Sequence, residues 1–286
     1  MTERLKLAVP NKGRLVDPTL ALLRDAGLRI EDHHRSLVAR AQNQDIDVLF
    51  VRTADVLEFV RDGVADLGVT GIDLYAESSS ELRIVQRLGF GRCRLAVAVP
   101  DDSPVREATE LAGRRIASAH PNLATRYFAE LGVPVEVVTL SGAVEVAPRL
   151  GLADGIVDLV STGSTLAMNG LRAIGDVLES QAILVEGPTA AGHLPDERAR
   201  LDVMLGSVAA ARDRKYVMMN APAWAAAALE ALLPGMDSPS VIPLAHEGMI
   251  AIHSVVGADD IWELLPRLKA AGASGILVLP IEKIVA

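Results

Sequence analysis

Along the chain, short apolar runs rich in branched residues alternate with amphipathic stretches, and glycine or proline closes most of them. Runs of that length bounded by turn residues predict buried strands, and the stretches of period 3.6 predict helices. Residues 5–9 read as a first strand stopped by Pro10, then Asn11-Lys12-Gly13-Arg14, then a helix over 16–26 ending at Gly27. A second strand over 47–51 delivers Arg52 to its end, and a helix over 54–61 is stopped by Gly63. Residues 66–69 form a strand that runs into Thr70-Gly71-Ile72-Asp73-Leu74. After a polar loop over 77–81, regular structure resumes near Ile84, and a strand over 94–99 enters a second lobe. There a strand over 115–119 is followed by His120-Pro121-Asn122 and a helix over 123–131, then a strand over 135–140. Pro148 makes 144–150 a short or kinked helix. Residues 177–185 have strand character.

The stretch from Glu145 to Leu166 carries the most chemistry. Its apolar run, 156–160, is interrupted only by Asp158 and opens into Ser161-Thr162-Gly163-Ser164-Thr165. Hydroxyls around one glycine can ring an anion with O–H and backbone N–H donors, and a helix starting at 166–168 adds its positive N-terminal end. By itself such a loop reads equally as hydroxyls capping a helix. Asp154 and Asp158 place carboxylates beside an anion site, which suits a ligand offering sugar hydroxyls or a magnesium ion. Lys12 and Arg14 stand at a strand's C-terminal end, where ligands collect in open α/β sheets, or are solvated loop charges. Asp73 suits an amino group or ribose hydroxyl, or serves as a helix N-cap.

From residue 215 the order is strand 216–219, helix 223–233, strands 241–244 and 249–255, helix 259–271 and strand 276–279. That is β-α-β-β-α-β, the ferredoxin-like split unit. Its loops carry no phosphate or acid-base constellation, so it reads as regulatory.

Bulk properties narrow the classes. A chain of 286 residues, half of them hydrophobic, holds two or three domains with real cores. A net charge of −9 argues against a nucleic-acid surface, so anions must be held by local donors. Cys93 is the only cysteine, which excludes an internal disulfide. No apolar run approaches a membrane span and the N-terminus has no signal-peptide pattern, so the expected location is the cytoplasm. His33, His34, His120, His193, His246 and His253 lack zinc-ligand spacing, with the adjacent His33 and His34 expected at the surface. There is no P-loop and no nucleophile elbow.

Glu145, five residues, Gly151 and then Ile-Val-Asp-Leu-Val-Ser-Thr-Gly-Ser-Thr-Leu resemble the signature of the ATP phosphoribosyltransferases. The resemblance extends over essentially the whole chain and is to the long form, whose C-terminal domain binds histidine as feedback inhibitor. It implies two α/β lobes like those of periplasmic binding proteins plus a ferredoxin-like domain: 1–93 with 178–211, 94–177, and 212–286. The implied reaction joins ATP to phosphoribosyl pyrophosphate with Mg2+, giving N1-(5-phosphoribosyl)-ATP and pyrophosphate, in an enzyme assembled as dimers and hexamers. Lys12, Arg14, Glu145 and Asp158 are then the expected catalytic residues, and Asp154 and Asp158 the metal ligands. Gly13, Arg52, Asp73, Asp154 and Ser161, Thr162, Gly163, Ser164, Thr165 are expected to bind substrate. So is His120, where family members usually carry tyrosine. Asn220, Ser238, Ser240 and Ala273 are the expected effector contacts, set in turns. The contrasting reading from architecture alone is a two-lobed solute-binding or effector-sensing protein without catalysis.

Overall fold

The computed structural model describes residues 3–30, 37–188, 193–233, 235–236 and 238–285; His33 and His34 lie outside them. The first lobe is built on a six-stranded sheet in the order β2-β3-β1-β4-β11-β5. Its strands are β1 (Leu5–Pro10), β2 (Val38–Arg40), β3 (Ile46–Val51), β4 (Leu67–Gly71), β5 (Arg83–Arg87) and β11 (Ala182–Glu186). Helices α1 (Val16–Asp25), α2 (Val56–Arg61) and α3 (Ile72–Glu77) follow β1, β3 and β4. The three parallel strands β3, β1 and β4 therefore end at one edge, with the helix starts beside them. Packing there is close: a Cβ on Gly68 of β4 would lie 2.6 Å from Val56 Cγ1, so only glycine lets α2 settle on this strand. Val56, Leu57 and Val60 of α2 join Ala8, Ile183 and Val185 in the lobe's core.

The second lobe has a five-stranded sheet ordered β10-β6-β9-β7-β8. Its strands are β6 (Cys93–Pro100), β7 (Arg115–Ser118), β8 (Glu136–Thr139), β9 (Gly155–Val160) and β10 (Leu171–Ser180), with helices α4 (Pro121–Glu130) and α5 (Ser164–Met168). Its two faces hold separate cores. Val157 packs with Leu123, Ala124 and Phe128 of α4 on one face, while Ile156 and Val160 pack with Val144, Ala147 and Leu166 on the other.

Two crossings join the lobes, from β5 to β6 and from β10 to β11. They run side by side, with Leu88 N donating to Ala182 O and Ala182 N to Phe90 O, both at 2.9 Å. The strand expected over 177–185 is in fact two: it breaks at Gln181, leaving 177–180 at the end of β10 and 182–186 in the other lobe's sheet. The segment around Pro148 forms a single 3-10 turn over Val144–Val146.

The chain divides into two compact units between Asp202 and Val203, inside helix α6 (Pro195–Ala211) and ahead of the boundary expected near residue 212. The second unit holds β12 (Arg214–Pro222), α7 (Ala226–Glu230), β13 (Ser240–Pro243), β14 (Met249–Gly257), α8 (Ile261–Ala270) and β15 (Ser274–Pro280). Its sheet is antiparallel throughout, in the order β13-β14-β12-β15, which is the ferredoxin-like arrangement. Val217, Met219 and Ile252 of the sheet and Leu229, Leu264 and Leu268 of the helices form its core. The fold class is the expected one, a two-lobed α/β body followed by a ferredoxin-like domain.

Candidate active site

Because β1 and β3 are parallel neighbours in register, with Pro10 opposite Val51, the loops after them start together. Asn11 N donates to Val51 O at 2.8 Å, and Thr53 Oγ1 lies 3.5 Å from Lys12 O. Lys12, Gly13 and Arg52 are thus gathered at one edge, all exposed, with Gly13 at φ +89° where a side chain would be strained. Arg14 reaches toward the crossings. Its Nη1 donates to Gly91 O at 2.5 Å and its Nη2 lies 3.6 Å from the Asp73 carboxylate.

Asp73 sits in the first turn of α3 and is 3% exposed. Ser180 Oγ donates to its Oδ1 at 2.5 Å, and His120 Nε2 approaches its Oδ2 at 3.4 Å from the other lobe. Burial pushes this carboxyl up, but the His120 ring beside it, the bond from Ser180 and the Arg14 charge outweigh that and hold it below the usual range. Both expected substrate contacts are therefore buried side by side, with the ring nitrogens of His120 making no hydrogen bond among the described residues. His120 is 5% exposed, so its ring has no open face for an adenine. The binding role that the resemblance implies for His120 therefore falls on a buried ring, and of the Asp73 carboxylate oxygens Oδ1 is the one bonded, by Ser180.

In the second lobe, β9 runs out into Ser161, Thr162, Ser164 and Thr165, all exposed. Gly163 turns the loop at φ +81°, and Thr162 Oγ1 and Ser164 Oγ lie 2.9 Å apart, two hydroxyls converging on one point. Asp158 shares the face of β9 that carries Ile156 and Val160, on the side of the Glu145 turn. Burial pushes its carboxyl up; a bond from Leu159 N and the His120 charge oppose that, and the Glu145 charge adds to it. Asp154 is elsewhere. It precedes β9 at the end opposite the loop, with Oδ1 on Arg114 at 3.1 Å and Oδ2 on Arg115 N at 2.9 Å. A six-residue strand is roughly 20 Å long, so Asp154 is withdrawn from the expected metal and substrate sets.

The structure adds arginines that the sequence reading passed over. Arg87, Arg92 and Arg94 line a cavity of about 480 Å³ with Ser161, Cys93 and Ser180, beside the hydroxyl loop. Arg94 faces Val160 across the β6–β9 pairing, a juxtaposition with no trace in local sequence. In the C-terminal unit, Asn220-Ala221-Pro222 is not a turn but the end of β12, with Asn220 O accepting from Ser274 Oγ at 3.3 Å. Ala273 is buried next to this pair, whereas Ser240 is on β13, separated from β12 by β14. Ser238 precedes it in the chain. One copy therefore does not bring the four expected effector contacts together.

Residues 52–206 match the family model described as ATP phosphoribosyltransferase, and 211–283 match that of the HisG C-terminal domain. An ATP phosphoribosyltransferase of Gemmatimonas aurantiaca is 45% identical over an alignment covering 98% of this chain and 99% of that protein. The chain belongs to the ATP phosphoribosyltransferase family. Another relative of that name, from Natronomonas pharaonis, is 43% identical, covering 98% of this chain and all of its own length. Among solved structures, the ATP phosphoribosyl transferase (HisG:HisZ) complex from Thermotoga maritima superposes with a TM-score of 0.62 at 31% identity. That match covers 70% of this chain and 95% of the other. An ATP phosphoribosyltransferase is a pentosyltransferase, and its reaction is the first step of histidine biosynthesis. The family works with a divalent metal. Among the described residues, no helix is long and apolar enough to cross a membrane.

Proposed function

We propose that this chain joins ATP to phosphoribosyl pyrophosphate in the cleft between its two α/β lobes, N1 of the adenine displacing pyrophosphate from C1 of the ribose. The observation that carries the reading is the exposed hydroxyl loop at the end of β9, within the family match. Thr162 and Ser164, with Ser161, Thr165 and the loop N–H groups around Gly163, hold the 5′-phosphate. Lys12 and Arg52, beside Gly13 and the more engaged Arg14, neutralise the pyrophosphate or triphosphate from the first lobe. Glu145 and Asp158 face the ribose hydroxyls. Positioning and charge stabilisation are what such a displacement needs from the protein.

Magnesium fits the Glu145 and Asp158 pair, whose mutual repulsion adds to the lift on Asp158. No group of three or more potential ligand side chains exists among the described residues, which suits an ion that takes its remaining oxygens from phosphates and water. When bound, Mg2+ supplies charge neutralisation on the departing pyrophosphate. These substrates support a cytoplasmic setting, and the net charge of −9 supports a protein without nucleic acid as partner.

The C-terminal unit is assigned to histidine as feedback inhibitor, with Asn220 and Ala273 of one copy completed by Ser238 and Ser240 of another. Exposed Val241 and Ile242 on β13, and Leu277 and Leu279 on β15, support association of copies into dimers and hexamers. The deciding assay is pyrophosphate release. It is expected with ATP and phosphoribosyl pyrophosphate together and with neither alone; no release from the pair rejects the assignment.

A further inference from the structure

Helix α4 of the second lobe lacks a side-chain cap of its own. Pro121 at its first position has no N–H to satisfy, and Ala124 N already donates to His120 O, leaving the N–H groups of Asn122 and Leu123. Both are taken by one carboxylate from the other lobe. Asn122 N donates to Glu77 Oε1 and Leu123 N to Glu77 Oε2, each at 2.9 Å, and Asn122 Nδ2 donates to Glu77 O at 3.2 Å. Glu77 ends α3, and Asp73, one turn earlier on the same face, meets His120 directly before α4. Between them Ala76 packs against the second lobe's core. One carboxylate of a first-lobe helix thus caps the positive end of a second-lobe helix, and a second, on the same face, lies 3.4 Å from the ring of its N-cap residue.

We propose that α3 is a clasp that sets the separation of the two lobes, and that Glu77 is a positioning residue for the transfer. The inference rests on the proposed division of the substrates, with the 5′-phosphate loop on one lobe and Lys12 and Arg52 on the other. The distance between reacting atoms is then set by the distance between lobes, and reaction requires near-contact alignment. Without Glu77 the pair of N–H groups is left to water and the open arrangement gains population. Each substrate then binds a less populated competent state, while saturation with both still drives closure.

The test uses the full chain with Cys93→Ser, spin-labelled at Arg24→Cys in the first lobe and Glu130→Cys in the second, diluted with unlabelled subunits. Glu77→Gln and Glu77→Ala are expected to lengthen or broaden the inter-label distance. In the unlabelled enzyme they raise KM for both substrates about three- to tenfold with kcat within about twofold, and Glu77→Asp falls between them and the parent. Unchanged distances overturn the clasp. Changed distances with unchanged KM overturn the positioning role, and so does a lowered Tm with neither readout moved, which marks Glu77 as a stabilising cap alone. If the parent releases no pyrophosphate, the proposed function falls while the distance measurement still decides the clasp.

Discussion

Asp158 occupies a half-buried place in a strand whose other residues are apolar, and burial with Glu145 nearby raises its pKa. A carboxyl with a raised folded pKa binds its proton more tightly in the folded state than in the unfolded one. Its contribution to stability is therefore full at acid pH and declines as pH rises through the raised value. Asp158→Asn removes that penalty. The variant is expected to melt at or above the parent at neutral pH, with the difference shrinking below the ordinary carboxylate range, while turnover falls by about tenfold or more. Thermal melts across pH and initial rates check both parts; a variant that melts well below the parent and regains activity on cooling makes Asp158 a structural partner. Asp73 has the opposite sign. Its depressed pKa means that its bonds stabilise the fold above the carboxylate range and are lost only on strong acidification.

Among the elements, the β9 loop is the one whose sequence and geometry agree most directly. Its hydroxyls are exposed, its glycine takes the left-handed turn, and the adjoining helix begins at Ser164. Thr162→Val deletes the hydroxyl that meets Ser164 and leaves a phosphate oxygen without a donor. Such a charge-assisted bond is worth roughly 1.5–3 kcal/mol, so affinity for phosphoribosyl pyrophosphate should fall about tenfold or more with ATP binding little changed. Equilibrium titration reads the difference, and unchanged affinity in a folded variant removes the loop from the site. Strand β10 was the least legible element. Register shifts between Ala173 and Gly175 and between Asp176 and Leu178 break its alternation of faces, so its apolar residues follow neither period of a regular element.

For the whole molecule, regulation requires that an effector bind one arrangement of the enzyme more tightly than another. Histidine is expected to inhibit noncompetitively with respect to phosphoribosyl pyrophosphate. Removing the chain beyond Arg212, which keeps α6 whole, should abolish that inhibition in a remainder that retains its circular dichroism and basal rate. Equal inhibition of the full and shortened enzymes, or competition at the cleft, places the effector site elsewhere.

The periodicity and turn residues of the chain determined strands such as β1, β3, β4 and β6, the β-α-β-β-α-β order after residue 215, and the loop from Ser161 to Thr165, because each depends on neighbours a few residues apart. Contacts between distant residues depended on the tertiary structure. Asp154 and Asp158 are four residues apart, yet Asp154 precedes β9 at the end away from the loop while Asp158 lies inside the strand, nearer the loop. His120 and Asp73 looked like two open ligand contacts; the meeting of the lobes buries them against each other. Glu77 read as part of a polar loop, since nothing in its neighbourhood shows that the unsatisfied N–H groups of a helix 45 residues later come to lie against it.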